Sequence, residues 1–344
     1  MRKALAVKYR PKTFEEVVGQ DLTVEILKRA ISTNALKNCI LFSGQSGCGK
    51  TTLARIVANV LNNGVGFPIE MDCASVGNVE NIRSIIASAN ERSLEGTYKI
   101  FILDECHAIS AAGWQAFLKC IEEPPLHTIF MFCTTDPYKI PSTILNRVQR
   151  YNISKVDTNL IYDRLAEICD LEGFTNYVDT CDLISKLCQG CMRDALTLLD
   201  QCIDFSTDLA IENTKQILGD ISYETMLKLT NFLYLKDEAK IFAVIESLYA
   251  SGVDLRQFIS LYLDFLLDLT KYKIFNNILA TTLPKYLLEV TDPLANLQAT
   301  AAQISNTAWL KNLIDVILSL KTNIKYDTNC KATIEAYLLR ECRG

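Results

Sequence analysis

An α/β domain built on a parallel sheet, followed by an all-helical remainder, is the fold this sequence predicts. Three observations carry it. Across residues 1–155 short apolar runs alternate with longer amphipathic segments, the pattern of successive strand–helix units. The runs KIFILD (99–104) and TIFMFCT (128–134) are apolar almost throughout, as strands covered on both faces must be. From Val156 onward strand runs cease and helical spacing takes over, as in Leu160, Leu165 and Ile168, then Leu183, Ile184 and Leu187.

Taken in order, strands are expected at 39–43, 69–72, 99–104, 128–134 and 150–153, and helices at 21–34, 50–61, 79–93 and 110–123. In the last of these, Trp114, Phe117, Leu118 and Ile121 recur at i, i+3, i+4 and i+7, a stripe that reads first as core-facing. The helix stops at Glu122-Glu123-Pro124-Pro125, because proline lacks the N–H and crowds the preceding turn. A compact helical unit then ends near Gly219. Longer helices follow, one with Leu227, Leu229, Phe232 and Leu233 and another over 256–274, with breaks at Pro284 and Pro293. The expected divisions are 1–155, 156–219 and 220–344.

Composition narrows the class. With 49% hydrophobic and 22% charged residues, the chain reads as ordinary globular protein. Its longest apolar stretch, LYLDFLLDLTKYKIF (261–275), is broken by charges, so no membrane span is expected. The opening MRKALAVKYRPK has only a four-residue apolar run, too short for a secretory signal. Thirteen scattered cysteines then read as reduced thiols in the cytosol. A net charge of −5 argues against a general nucleic-acid binder, yet residues 1–155 carry +4 and residues 156–344 carry −9. Any polyanion contact therefore belongs to the first part.

The motifs fall where a parallel sheet places ligands, at the carboxyl ends of its strands. GQSGCGKT (44–51) completes G-x-x-x-x-G-K-Ser/Thr directly after Cys39-Ile40-Leu41-Phe42. A strand running into such a loop wraps the phosphates of a nucleoside triphosphate in backbone N–H groups from Gly44, Gln45, Ser46, Gly47, Cys48 and Gly49 through to Thr52. Lys50 reaches the β/γ-phosphates and Thr51 meets Mg²⁺. FILDE (101–105) is its complement: Asp104 is suited to the Mg²⁺ shell and Glu105 to polarising a water for attack on the γ-phosphate. Thr134 and Thr135 in TTDP (134–137) are polar after the apolar FMFC, with Thr135 the better candidate for reading the γ-phosphate or the attacking water. Arg147 and Arg193 stand isolated, in a setting where arginine is usually a solvated surface residue. Cys188-Gln-Gly-Cys191 is one C-x-x-C with no second pair and no histidine nearby, so buried thiols are expected rather than zinc. Cys48 lies in the phosphate loop just before a helix, and a helix N-terminus favours a thiolate and hence oxidation.

Together YRPKTFEEVVGQ (9–20), GQSGCGKT, FILDECH (101–107), EEPPLHTIFMFCTTDPYKIPSTILNR (122–147) and GCMRDALTLLDQ (190–201) resemble one family. It is the ATPase (tau/gamma) subunit of the bacterial DNA polymerase III clamp loader, of the AAA+ class. The resemblance is close over 1–205; residues 220–344 match only as a helical segment of suitable length for a collar. It implies ATP and Mg²⁺ as cofactors, with Tyr9, Arg10, Pro11, Val17 and Val18 along the adenine pocket. Thr135 would be the sensor, Arg193 a lid arginine on the γ-phosphate of its own subunit, Arg147 a finger entering the neighbour's site, and Arg83 a contact to DNA phosphates. The implied partners are other loader subunits in a pentamer, a sliding clamp and primer–template DNA, with no membrane.

Three departures bear on this. The finger stands in Asn146-Arg147-Val148 where the family has Ser-Arg-Cys. Only ten residues separate Leu61 from Asp72, without cysteine, so the family's four-cysteine zinc module is expected to be absent. The chain also stops at 344 without the long tail of the tau form, which reads as a minimal subunit such as a phage or other compact genome would encode. Two other classes compete. A AAA+ branch-migration helicase would carry a winged helix after the lid, for which 220–344 offers no strand pairs. A structural subunit that binds nucleotide without turnover is opposed by Glu105.

Overall fold

Five parallel strands form the sheet, in the order β2-β3-β4-β1-β5. The computed structural model describes residues 2–93, 95–211, 213–214, 223–281, 283, 295–304 and 307–343. Helices α1 (Leu5–Lys8) and α2 (Asp21–Ser32) lead into β1 (Cys39–Ser43). Then come α3 (Lys50–Leu61), β2 (Ile69–Asp72), α4 (Cys73–Val76), α5 (Val79–Ala89) and β3 (Lys99–Asp104). The sheet is completed through α6 (Ala111–Glu122), β4 (Thr128–Thr134), α7 (Ser142–Leu145) and β5 (Gln149–Asn152). Every strand expected at the start of the chain is present. The helix expected over 79–93 stops at Ala89, and α6 begins after Ser110, whose hydroxyl caps it by accepting the Gly113 N–H.

Alternation along the central strands splits the core in two. Ile100, Ile102, Ile129, Met131 and Cys133 pack on one face with Leu53, Ile56 and Val57 of α3. Phe101, Leu103, Phe130 and Phe132 pack on the other with Ile82 and Ile85 of α5 and Trp114, Phe117 and Ile121 of α6. The predicted stripe of α6 thus faces the core, with its Phe117 ring 5.1 Å from Phe130 and 5.6 Å from Phe132. Strand order matters more for function. Because β4 lies between β1 and β3, its carboxyl end stands beside both the loop after β1 and the carboxylates at the end of β3.

Beyond the sheet come α8 (Thr158–Glu172), α9 (Val178–Leu187) and α10 (Met192–Phe205). Leu165, Ile168, Ile184 and Leu187 are buried, as their spacing predicts. Leu160 is instead 38% exposed and Leu183 half-buried, because the apolar stripe of each helix is narrower than the spacing suggests. The chain divides into two compact units, one ending at Gln201 and the other starting at Cys202. The second unit holds α11 (Tyr223–Tyr234), α12 (Glu238–Ala250), α13 (Leu255–Phe275), α14 (Leu297–Gln303), α15 (Thr307–Asn323) and α16 (Cys330–Arg343). Leu227, Leu229, Phe232 and Leu233 are buried in α11. The boundary expected near Gly219 and the breaks at Pro284 and Pro293 lie outside the described residues. Among the described residues no helix is long and apolar enough to cross a membrane.

Candidate active site

The loop after β1 is shaped by close approaches. A Cβ on Gly44 would stand 2.2 Å from the carbonyl oxygen of Ile153, and one on Gly47 would stand 2.1 Å from Cys191 Sγ. Only glycine fits either place, and at Gly47 (φ +70°) the backbone itself favours it. The second approach seats the start of α10 against the loop, where the Arg193 N–H donates to the Gly47 carbonyl at 3.4 Å. Lys50 opens α3, is almost fully buried, and donates from Nζ to the Gln45 carbonyl at 2.8 Å.

Across the sheet the next groups interlock. Thr51 Oγ1 donates to Asp104 Oδ2 at 2.7 Å, and Asp104 Oδ1 accepts the Glu105 N–H at 2.9 Å. Thr135 Oγ1 donates to Glu105 Oε2 at 3.0 Å. Thr134, the last residue of β4, is buried and its hydroxyl accepts the Asp136 N–H at 3.0 Å, closing a turn at the strand end. A chain of hydrogen bonds therefore links Thr51, Asp104, Glu105 and Thr135.

One cavity gathers most of the predicted residues. It is lined by Tyr9, Arg10, Pro11, Val17, Val18, Ser46 through Thr52, Asp104, Glu105 and Arg193. Arg10 is partly buried there, and burial together with the nearby Arg55 and Arg193 lowers its pKa below the ordinary guanidinium value. Cations crowded into one recess favour an anionic occupant. Tyr9 is held from the other side: its hydroxyl donates to Glu172 Oε1 at 2.5 Å, and the Arg164 guanidinium lies 5.9 Å from its ring centre. Lys8 pairs with the same Glu172, and the Leu5 N–H donates to Asp200 Oδ2 at 2.7 Å. The N-terminal segment is thereby tied to α8 and α10.

A profile of the DNA polymerase III delta subunit matches residues 67–157. One of the DNA polymerase III clamp loader subunit ATPase lid domain matches 160–208, and one of domain III of DNA polymerase III subunits gamma and tau matches 209–343. DNA polymerase III subunit tau of Bacillus subtilis is 34% identical over 293 residues, covering 79% of this chain and 52% of that protein. DNA polymerase III subunit gamma/tau of Mycobacterium tuberculosis is 33% identical over 291 residues, covering 77% of this chain and 50% of that one. The chain belongs to the gamma/tau family of DNA polymerase III subunits. It spans about half the length of these relatives. Among solved structures, the RuvB Holliday junction branch migration motor of Thermotoga maritima superposes with a TM-score of 0.52 at 20% identity, over 75% of this chain and 90% of that one. At that identity the likeness speaks for the fold alone, an α/β domain with helical additions.

Some residues expected in the gamma/tau site lie elsewhere. Gly44 and Gln45 shape the loop without lining the cavity, and Thr135 stands behind Glu105 rather than on the wall. Arg147 lies outside the cavity. Its Nη2 is 2.7 Å from Glu122 Oε1 and its Nη1 donates to the Thr143 carbonyl at 2.7 Å. Arg83 is exposed on α5, also away from the cavity. Cys48 departs from the expectation of an oxidation-sensitive thiolate. It is buried against the Gly190 carbonyl, and burial raises its thiol pKa despite the helix N-terminus. Cys188 is buried and Cys191 half-buried, and burial pushes the Cys191 thiol up to about 12. Ala6, Glu16, Val156, Arg164, Met192 and Leu196 also line the cavity and were not foreseen. Met192 and Leu196 flank Arg193 at helical spacing, a signal that the sequence does carry. Nothing local marks Arg164.

Proposed function

We propose that this chain is an ATPase subunit of a clamp loader, which uses ATP binding and hydrolysis to place a sliding clamp on primed DNA. The observation that carries this reading is the continuous chain Thr51–Asp104–Glu105–Thr135 beside a cation-rich cavity, in a member of the gamma/tau family. The base of ATP would lie against Tyr9, Pro11, Val17 and Val18, and its phosphates in the loop of Ser46 to Thr52, with Lys50 and Arg193 on the β/γ end. The Thr51 hydroxyl and Asp104 carboxylate are hard oxygen donors within 2.7 Å of each other, a pair that fits Mg²⁺. Mg²⁺ bound there would neutralise charge on the phosphates. Glu105 takes the proton of the attacking water, and Thr135 orients that carboxylate.

Arg147 is assigned to the nucleotide of a neighbouring subunit. Its position outside its own cavity supports this, as does its place in the turn just after the short α7. A cation delivered from a neighbour makes hydrolysis depend on assembly. We assign residues 1–155 to nucleotide binding, 156–219 to the lid and 220–344 to a collar that joins subunits into a pentamer. Arg83 is assigned to DNA phosphates, and the whole complex to the cytoplasm. The test is steady-state ATP hydrolysis by the assembled complex, with and without clamp and primer–template DNA. Clamp and DNA should raise the rate sharply. Arg147→Ala should abolish the rise, by about 10³-fold or more for a lost trans arginine, while nucleotide binding persists. An undiminished rise in that variant would remove Arg147 from this role.

A further inference from the structure

Glu105 is held by two neighbours on the same oxygen. Thr135 Oγ1 donates to Oε2 at 3.0 Å, and His107 Nδ1 lies 3.3 Å from Oε2 and 3.2 Å from Thr134 Oγ1. His107 is one of two histidines in the chain. The backbone brings it back over the carboxylate: Glu105 sits at φ +46° and the 3₁₀ turn Cys106–Ala108 follows, closed by the Ala108 N–H donating to the Glu105 carbonyl at 2.9 Å. An imidazole nitrogen facing a carboxylate oxygen is satisfied only when it carries the hydrogen, since a bare lone pair would repel it. Nδ1 hydrogen-bonds Thr134 Oγ1 and, when it carries the hydrogen, holds it within 3.3 Å of Glu105 Oε2.

We propose that His107 is a positioning residue for hydrolysis: with Thr135 it fixes Oε2 of Glu105 and leaves Oε1 to act as base. This rests on the ATPase reading above. In that step the water oxygen bonds to the γ-phosphorus and the water proton passes to Oε1. The bond from that phosphorus to the β–γ bridging oxygen breaks, with its electron pair leaving on ADP. An unfixed carboxylate samples other rotamers, and a misplacement of about 1 Å can cost on the order of 10²-fold in rate.

The test uses full-length chain in its assembled complex and compares His107→Ala, His107→Asn and His107→Gln by single-turnover ATP hydrolysis, with ATP affinity measured in parallel. An asparagine amide nitrogen can occupy the place of Nδ1, whereas that of glutamine corresponds to Nε2. The Ala variant should hydrolyse about 10²-fold more slowly with ATP affinity unchanged. Asn should recover most of the rate and Gln little of it. Equal rates for Asn and Gln, or affinity falling in step with rate, would reduce His107 to a packing role. Absence of hydrolysis in the unaltered complex would instead defeat the ATPase reading itself.

Discussion

Two adjacent carboxylates face different partners. Asp104 is tied to Thr51 and to the backbone N–H of Glu105, whereas Glu105 meets Thr135 and His107 through one oxygen. The division follows from backbone geometry, since the left-handed turn at Glu105 (φ +46°) sends its side chain away from the course of β3. Glu105→Gln keeps the shape and removes the basic oxygen. Hydrolysis should fall by about 10²- to 10⁴-fold while ATP stays bound, measured by single-turnover hydrolysis beside a binding titration. A loss of binding equal to the loss of rate would assign Glu105 to ground-state affinity instead. The lysine, threonine and carboxylates of this site were legible because each sits at a fixed offset in a short motif. His107 was not, although it stands in the quoted FILDECH, because its role depends on a fold-back that no local spacing announces.

At the scale of elements, helical and strand periodicity did most of the work. α6 shows why. Its i, i+3, i+4, i+7 stripe places Trp114, Phe117 and Ile121 against β4, and Phe117 is fully buried between Phe130 and Phe132. Phe117→Ala removes a ring from a closed aromatic cluster and should destabilise the first unit by about 3–5 kcal/mol. Chemical denaturation would read this; a change below about 1 kcal/mol would mean that the site collapses to fill the space. Helix ends were less legible. α5 ends four residues early, and Leu160 turns outward although it matches the helical pattern. Periodicity reports which residues share a face but not how wide a partner covers it.

For the molecule as a whole, most of the described cysteines are buried. Burial pushes the Cys39 and Cys73 thiols up to about 12 and raises those of Cys106 and Cys133 well above the ordinary thiol value. An unfolded thiol ionises near pH 8.5, so above that pH the unfolded chain releases protons that the folded chain retains. The unfolded state then binds fewer protons, and stability falls as pH rises, by about 1.4 kcal/mol per thiol per pH unit until the folded thiol ionises. Denaturation midpoints under reducing conditions should drop between pH 8 and pH 10, with a shallower drop in a Cys39→Ala/Cys73→Ala double variant. Equal slopes for the two proteins would show that other groups dominate the alkaline loss.

The α/β class, the phosphate loop and the paired carboxylates were readable from the chain alone, because each is written in residues close together in sequence. Hydrophobic period, glycine spacing and an apolar run ending in Asp-Glu are local properties. The gathering of these parts was not. Placing β4 between β1 and β3, seating Cys191 against Gly47, bringing Arg164 over Tyr9 and returning His107 to Glu105 all join segments by packing. Such contacts depend on which surfaces bury one another, and burial is settled only when the whole chain has folded.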